Sequence, residues 1–291
     1  MYDWVFNRKV GSVPSDKFIV MEGDRLVGGS ALTFRPLRTC NGKLAQAAVI
    51  TGSFTLPDFR KQGFFSTIID LTFKRAVEQG AFVYLGFAAA KNMSVNRLRE
   101  AGCEISPSYY FQFDVTKANR TPFQIRTCGE EDLEAQKNAF EIRSKRTKGK
   151  SHFEYSLEEW RGQMINRPHP AFLCEVSEAE KKMGYFIAEK FDAKYRLIEF
   201  FGKDESLDEK IVLSAMDYAR QSTDKMDAYT IEANIRKIFQ GCQGSEIPGL
   251  LFLRACSPGQ DRLLTQSYLG QNPGQSDKSL LPFCFQSGDR M

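Results

Sequence analysis

Apolar and polar positions change period several times along the first half of the chain. Lys17–Met21 and Leu26–Leu37 are apolar-rich runs separated by Glu22-Gly23-Asp24, a pattern that predicts a hairpin. Asn41-Gly42 marks a second turn. Leu44–Leu56 then reads as a long strand stopped by Pro57, and its Ala48, Val49, Ile50 and Phe54 suit a central, well-buried place. From Gly63 to Glu78 the period switches. Phe65, Ile68, Ile69, Phe73, Ala76 and Val77 share one helical face, with Asp70, Lys74, Arg75 and Glu78 between them. Gly80 follows as a left-handed cap. A strand at Ala81–Phe87, a short helix at Ser94–Glu100 and a strand at Tyr109–Val115 complete this half.

Lys117–Pro122 reads as a linker, after which the cadence repeats. Helices are expected at Glu130–Arg143 and at Ser156–Asn166, the latter with Ser156 as N-cap. Ala171–Val176, Met183–Glu189 and Tyr195–Phe201 read as strands, Leu207–Arg220 as an amphipathic helix and Ala228–Glu232 as a strand. Ser257–Ser279 is rich in Gly, Pro, Gln and Ser and reads as a long loop, with Leu250–Arg254 and Leu281–Gln286 as closing strands.

Composition narrows the class. The 291 residues suit two domains or one large one, and 42% hydrophobic with 26% charged residues is ordinary for a globular chain. No apolar run approaches the roughly 18 residues of a membrane helix. The segment Met1-Tyr2-Asp3-Trp4-Val5-Phe6 lacks the basic head and apolar core of a signal peptide. The net charge of +4 admits anionic ligands but falls short of a dedicated nucleic-acid binder. Seven scattered cysteines without a Cys-x-x-Cys pair speak against a disulfide framework or a zinc site, and for reduced thiols in a cytoplasm. With only His152 and His169, no metal is expected.

Chemistry concentrates in Thr55-Leu56-Pro57-Asp58-Phe59-Arg60-Lys61-Gln62-Gly63-Phe64-Phe65-Ser66. A long strand stops, and a short loop with Arg60, Lys61 and Gly63 opens directly into a helix. A helix start carries unpaired N–H groups and partial positive charge, and a glycine lets a ligand approach the backbone closely. Two cations beside it describe a phosphate or pyrophosphate site. The alternative is a strand–turn–helix with a solvated basic turn.

Arg60-x-x-Gly63-x-Phe65 resembles the Arg/Gln-x-x-Gly-x-Gly/Ala acyl-CoA signature of the GNAT acyltransferase superfamily, and Gly63-Phe64-Phe65-Ser66 resembles the Gly-Ile-Phe-Ser variant of one subgroup. Phe65 departs from the small residue that usually ends the motif. Downstream, Phe87…Asn92-x-Ser94…Ala101-Gly102-Cys103 is similar to the strand, Asn/Ser turn, helix and Gly-Phe ending of the family, with Cys103 in place of Phe. The resemblance spans Phe18–Val115. It implies an α/β (α+β) fold, a mixed, mostly antiparallel central sheet flanked by helices. Acetyl-CoA or another acyl-CoA is the implied co-substrate, with a small amine as acceptor and neither nucleic acid nor membrane as partner. The amides of Gln62, Gly63, Phe64, Phe65 and Ser66 would hold the pyrophosphate, with charge from Arg60 and Lys61 and with Asn92 in the following turn. The strand end Phe54, Thr55 and Leu56 would part from the next strand, take the pantetheine arm and polarise the thioester carbonyl through a backbone amide.

The resemblance leaves the proton-transfer groups open. Leu44–Leu56 has no Asp or Glu to act as base, and Leu98 stands where the family often places a tyrosine acid. Tyr84, Tyr109 and Tyr110 are the candidates nearest in sequence, each with core packing as its alternative role. Glu199 and Glu232 interrupt apolar strands and read as edge-facing or ion-paired carboxylates. The second half follows a GNAT-like order, so the fold is expected to be duplicated, as 1–118 and 123–291, the second part degenerate and walling the acceptor pocket. Its turn Gly202-Lys203-Asp204-Glu205-Ser206 is acidic and lacks the Arg-x-x-Gly motif, so it is expected to repel a pyrophosphate. An unrelated α+β second domain is the alternative. The cluster Arg143, Lys145, Arg146, Lys148 and Lys150 reads as a solvated basic loop. It is the one feature that would suit a tRNA-dependent aminoacyl transferase, and a catalytically silent acyl-CoA binder is the third reading.

Overall fold

The computed structural model describes residues 11, 13–91 and 94–256. The expected loop at Ser257–Ser279 and strand at Leu281–Gln286 lie outside them. The first part runs β1 (Asp16–Glu22), β2 (Arg25–Arg38), β3 (Leu44–Thr55), α1 (Phe64–Glu78), β4 (Val83–Ala89), α2 (Ser94–Glu100) and β5 (Glu104–Asp114). The second runs β6 (Gln124–Cys128), α3 (Leu133–Thr147), β7 (His152–Phe153), α4 (Leu157–Met164), β8 (Ala171–Glu178), β9 (Lys181–Phe191), β10 (Lys194–Gly202), α5 (Asp208–Ala219), β11 (Lys225–Thr230), α6 (Ala233–Gly241) and β12 (Ser245–Ala255).

All twelve described strands join one sheet, in the order β1-β2-β3-β4-β12-β5-β11-β10-β9-β8-β6, with β7 added to β2. Only β3–β4 and β10–β11 are parallel, so the sheet is mixed and mostly antiparallel. The order is nearly symmetric about its centre. Each half supplies an antiparallel pair, a helical crossover and a parallel partner strand. It then sends its last strand across the middle: β12 lies against β4 of the first half, and β5 lies against β11 of the second.

This exchange explains two prolines in central strands. A proline lacks a ladder donor and belongs where one side of a strand has no partner. Pro107 pairs with β12 at a level where β5 has not yet met β11, whose pairing starts at Tyr109. Pro248 pairs with β5 at a level where β12 has not yet met β4, whose pairing starts at Gly249. Sequence reading starts β5 at Tyr109; the strand begins five residues earlier, because Pro107 is tolerated there.

Helices cover both faces. On one, α1 and α2 bury Ile69, Ala76 and Leu98 against Leu32, Phe34, Ala48 and Tyr84, while α5 and α6 bury Ile211, Met216 and Phe239 against Phe111, Phe113 and Phe200. On the other, α3 and α4 cover strands of both halves, with Trp160 and Met164 packed among Val49, Leu85, Ile187 and Ile198. Ser156 caps α4 and forms a reciprocal capping box with Glu159. Among the described residues no helix is long and apolar enough to cross a membrane.

Several elements differ from the sequence expectation. The region after the expected linker contains β6, a five-residue edge strand with one buried residue, too short to show a period. Helix α6 packs Ile235, Ile238 and Phe239 on the core at helical spacing, where the sequence expectation has no element. The basic cluster is not a solvated loop. It begins inside α3, and Arg143 and Arg146 point inward. Arg143 Nε donates to Glu199 at 2.8 Å, Arg146 donates to both oxygens of Asp208 at 2.9 and 2.7 Å, and Lys150 Nζ donates to Glu232 at 2.6 Å. The buried acids Glu199 and Glu232 are ion-paired. Trp160 Nε1 and the Tyr185 hydroxyl also donate to Glu199, at 2.9 and 2.7 Å.

Removing one member of a buried ion pair strands the other charge, at about 3–5 kcal/mol. Glu199→Ala should therefore lower the unfolding free energy by about that amount in urea titration, and Glu199→Gln, which keeps an acceptor, by less. The cysteines give a second prediction. Burial pushes the thiol of Cys103 up to about 11 and those of Cys174, Cys242 and Cys256 up to about 12, whereas Cys40 is half-buried. Alkylation of the native protein at pH 8, mapped by mass spectrometry, should modify Cys40 well before these four.

Candidate active site

The site grows from the way β3 parts from its neighbour. Along one edge β3 stays paired with β2 from Leu44 to Thr55, with a bulge opposite Gly29–Ala31. Along the other it pairs with β4 at only three positions, Ala47↔Val83, Ala48↔Tyr84 and Val49↔Leu85. Beyond Val49 the strand continues six residues, to Thr55, and β4 continues past Leu85 to Ala89, with no ladder between them. The result is a wedge with a free β3 edge. β4 does not fray, because β12 stays paired to it from Ala255↔Val83 to Gly249↔Ala89.

At the mouth of the wedge the chain turns into α1. Leu56 N–H donates to Val27 O at 2.8 Å, and a 3-10 turn at Pro57–Phe59 reverses the chain. Phe59 anchors the turn: it is buried, with the Arg25 guanidinium 4.6 Å from its ring centroid and Phe64 edge-on at 6.1 Å. Lys61 and Gly63 have φ of 65° and 89°, which turns successive amides toward one concavity. A Cβ at Gly63 would meet nothing within 4 Å, so glycine is present for its backbone angle and for the open approach above it. Among the described residues the amides of Lys61, Gln62, Gly63, Phe64 and Phe65 have no acceptor. Ser66 and Thr67 differ: their amides donate to Gly63 O at 2.9 and 3.3 Å. Five open N–H groups at the positive end of a fifteen-residue helix form an anion cradle.

A cleft of about 820 Å³ runs from this cradle. Phe54, Thr55, Arg60, Lys61, Gly63, Phe64, Phe65 and Ser66 line it, so the structure brings these sequence-selected residues together, with Ser53 beside them. Leu56 and Gln62 belong to the same turn but not to the lining; Gln62 Nε2 donates to Asp58 O at 3.1 Å. Arg60 Nε donates to Thr55 O at 3.2 Å, tying the turn to the strand end. Asn92 lies outside the described residues. The far wall is Lys91 and the residues Ser94, Asn96, Arg97 and Glu100 of α2, of which the sequence motif contained only Ser94. Arg97 and Glu100 pair at 2.6 Å. The signal for this wall was the short helix after β4, whose docking onto α1 only the tertiary packing shows.

None of the three candidate tyrosines lines the cleft. Tyr84 is fully buried, its hydroxyl 2.9 Å from Thr72 Oγ1, and burial raises its pKa above the usual phenol range. Tyr109 lies beneath the Arg236 guanidinium, 4.1 Å from its ring centroid, and Tyr110 packs against Tyr229 at 5.1 Å. Leu98 is buried in the core beside Tyr84. Among the described residues no group of three or more His, Cys, Asp or Glu is arranged to hold a metal ion.

Residues 4–105 match the family model of an acetyltransferase (GNAT) domain. No curated protein matches the chain. Several solved structures do. A GCN5-related N-acetyltransferase from Anabaena variabilis superposes with a TM-score of 0.57 at 14% identity, covering 82% of this chain and 62% of that one. A conserved protein of unknown function from Enterococcus faecalis, a probable N-acyltransferase, gives 0.60 at 13% identity, covering 89% and 64%. The chain thus spans less than two thirds of either. A tandem GNAT protein from the clavulanic acid biosynthesis pathway gives 0.64 at 12% identity, covering 88% of this chain and 87% of that one. Residues 4–105 thus match a GNAT acetyltransferase domain, and within them a parted parallel strand pair lies beside an open amide cradle.

Proposed function

We propose that the protein is a cytoplasmic acyl-CoA-dependent N-acyltransferase, transferring acetyl from acetyl-CoA to a small amine or amino sugar by direct attack. The observation that carries this reading is the pairing of five open amides, Lys61 to Phe65, with an open β3 edge leading away from them. A diphosphate fits the first and an extended arm with amide groups fits the second, added to β3 as a further strand would be. Arg60 and Lys61 add charge at the cradle, and Lys91 and Arg97 line the same cleft. Since Ser66's amide is engaged in the helix cap, the cradle is shifted one residue toward Lys61 from the sequence expectation. Leu56's amide is likewise engaged, and the alternation of a strand turns Thr55's amide toward the wedge, as a donor for the thioester oxygen.

The acceptor must lose a proton to attack, since an alkylammonium has a pKa of about 10.4. Among the described residues the one carboxylate lining the cleft, Glu100, is held by Arg97, and β3 carries none. The reading therefore assigns deprotonation to water and the acceptor's own equilibrium. The tRNA-dependent alternative keeps only Lys145 and Lys148 of its basic cluster exposed, because Arg143, Arg146 and Lys150 are committed to internal carboxylates. The silent-binder reading keeps Leu98 and the carboxylate-free strand in its favour. Release of free CoA thiol across a panel of amines separates it from the enzyme reading.

Isothermal titration should give binding of acetyl-CoA to the native chain and its loss in Gly63→Glu, which sets a carboxylate over the cradle. An absence of binding by the wild type, or unchanged binding by the variant, would remove the proposal. Lys61→Ala should weaken binding at low salt and matter less as ionic strength rises. With an active acceptor, kcat/KM should climb tenfold per pH unit up to the acceptor's own pKa. A plateau near neutrality would point instead to a base within the protein.

A further inference from the structure

The second half repeats the wedge. β10 and β11 pair only at Tyr195↔Met226 and Arg196↔Asp227. β10 then continues to Gly202 and passes through a 3-10 turn at Glu205–Leu207 into α5. This is the order β3–turn–α1 of the first half, carried to the opposite end of the sheet by its approximate two-fold symmetry.

At the corresponding place the amides of Gly202, Lys203, Ser206, Leu207 and Asp208 all have acceptors. Gly202 N–H donates to Asp208 Oδ1 at 2.9 Å and Lys203 N–H to Met183 O at 2.8 Å. Ser206 N–H donates to Asp204 Oδ1 at 3.1 Å, Leu207 N–H to Asp204 O at 3.2 Å, and Asp208 N–H to Glu205 O. A Cβ at Gly202 would lie 2.7 Å from Asp204 O and from Leu207 Cβ, whereas one at Gly63 would meet open space. The Asp208 carboxylate, fully buried, sits between strand end and helix start. Arg146 is its counter-ion through two hydrogen bonds, and also donates to Gly202 O at 2.7 Å.

We infer that Asp208 is a built-in anion that occupies the Gly202 amide and the Arg146 guanidinium where the second half repeats the cradle, Asp204 and backbone carbonyls taking the neighbouring amides. The chain then holds one diphosphate-bearing thiol carrier, and the second cradle becomes a site for a small anion only when that carboxylate is removed. The first consequence rests on the reading of the Lys61–Phe65 cradle given above; the second does not. The physical cause differs from charge repulsion by an acidic turn. The acid is neutralised by Arg146, and exclusion comes from occupancy of the donors.

Titration of the native chain with CoA should give one equivalent bound, and two would overturn the inference. No binding at all would remove the first-cradle reading and leave the second consequence to be decided separately. For that, Asp208→Ala should melt below the wild type in chloride buffer. Its Tm should rise with added sodium acetate or inorganic phosphate by more than that of the wild type in the same salts. Should Asp208→Ala not fold in chloride, its soluble yield on refolding with and without acetate is read instead. Absence of rescue by either anion overturns the proposal.

Discussion

A backbone group withdrawn from water needs a partner, and the open wedge between β3 and β4 exists because β12 meets that need from the other side. β4 is paired with β12 along its whole length, so it stays a strand after it has parted from β3. The strand that does this comes from the far end of the described chain, 156 positions after the end of β4 if counted to Ser245. The cradle at Lys61–Phe65, although local in sequence, thus opens onto a groove whose second wall is kept straight by the other half of the molecule.

The same frame, used twice, gives two different sites. In both halves a parallel pair separates after two or three residue pairs and the leading strand turns into a helix. What differs is the supply of acceptors. The first turn carries Arg60, Lys61 and Gly63 and leaves five donors unmet; the second carries Asp204 and Asp208, whose side chains and backbone take up the donors around them. Arg146, which completes the second arrangement, comes from α3, so Arg143 and Arg146 of the basic run turn inward while Lys145 and Lys148 stay exposed. Arg143 to Glu199 and Arg146 to Asp208 clamp that helix across β10.

Much of the frame was legible in the sequence because long elements carry their period. The strand at Leu44–Leu56, the helix from Gly63 and the Ser156 cap all lie within a residue or two of their expected places. β6 was not legible, since one buried side chain gives no period, whereas α6 carried the i, i+3, i+4 spacing of Ile235, Ile238 and Phe239, a legible signal that the sequence expectation leaves out. The start of β5 was hidden by Pro107, which is harmless only because β11 joins five residues further on than β12 does. At the site, the turn from Arg60 to Ser66 could be read from its residue types. The opposing wall of α2, Ser94 apart, could not, because Lys91 and Arg97 gain meaning only once α2 docks against α1.

The amino-acid order alone determined what local physics controls: where strands and helices begin, that a basic, glycine-bearing turn opens a helix, and that this turn resembles an acyl-CoA signature. Which donors stay open, and which strand lies beside which, was decided by the tertiary fold. A charge in a sequence has no direction. Arg60 and Arg146 are the same residue type in comparable basic runs, yet one ends beside an unfilled cradle and the other beneath a buried carboxylate. That outcome depends on the exchange of β5 and β12 and the docking of α3, contacts between residues far apart in the chain that no local pattern encodes.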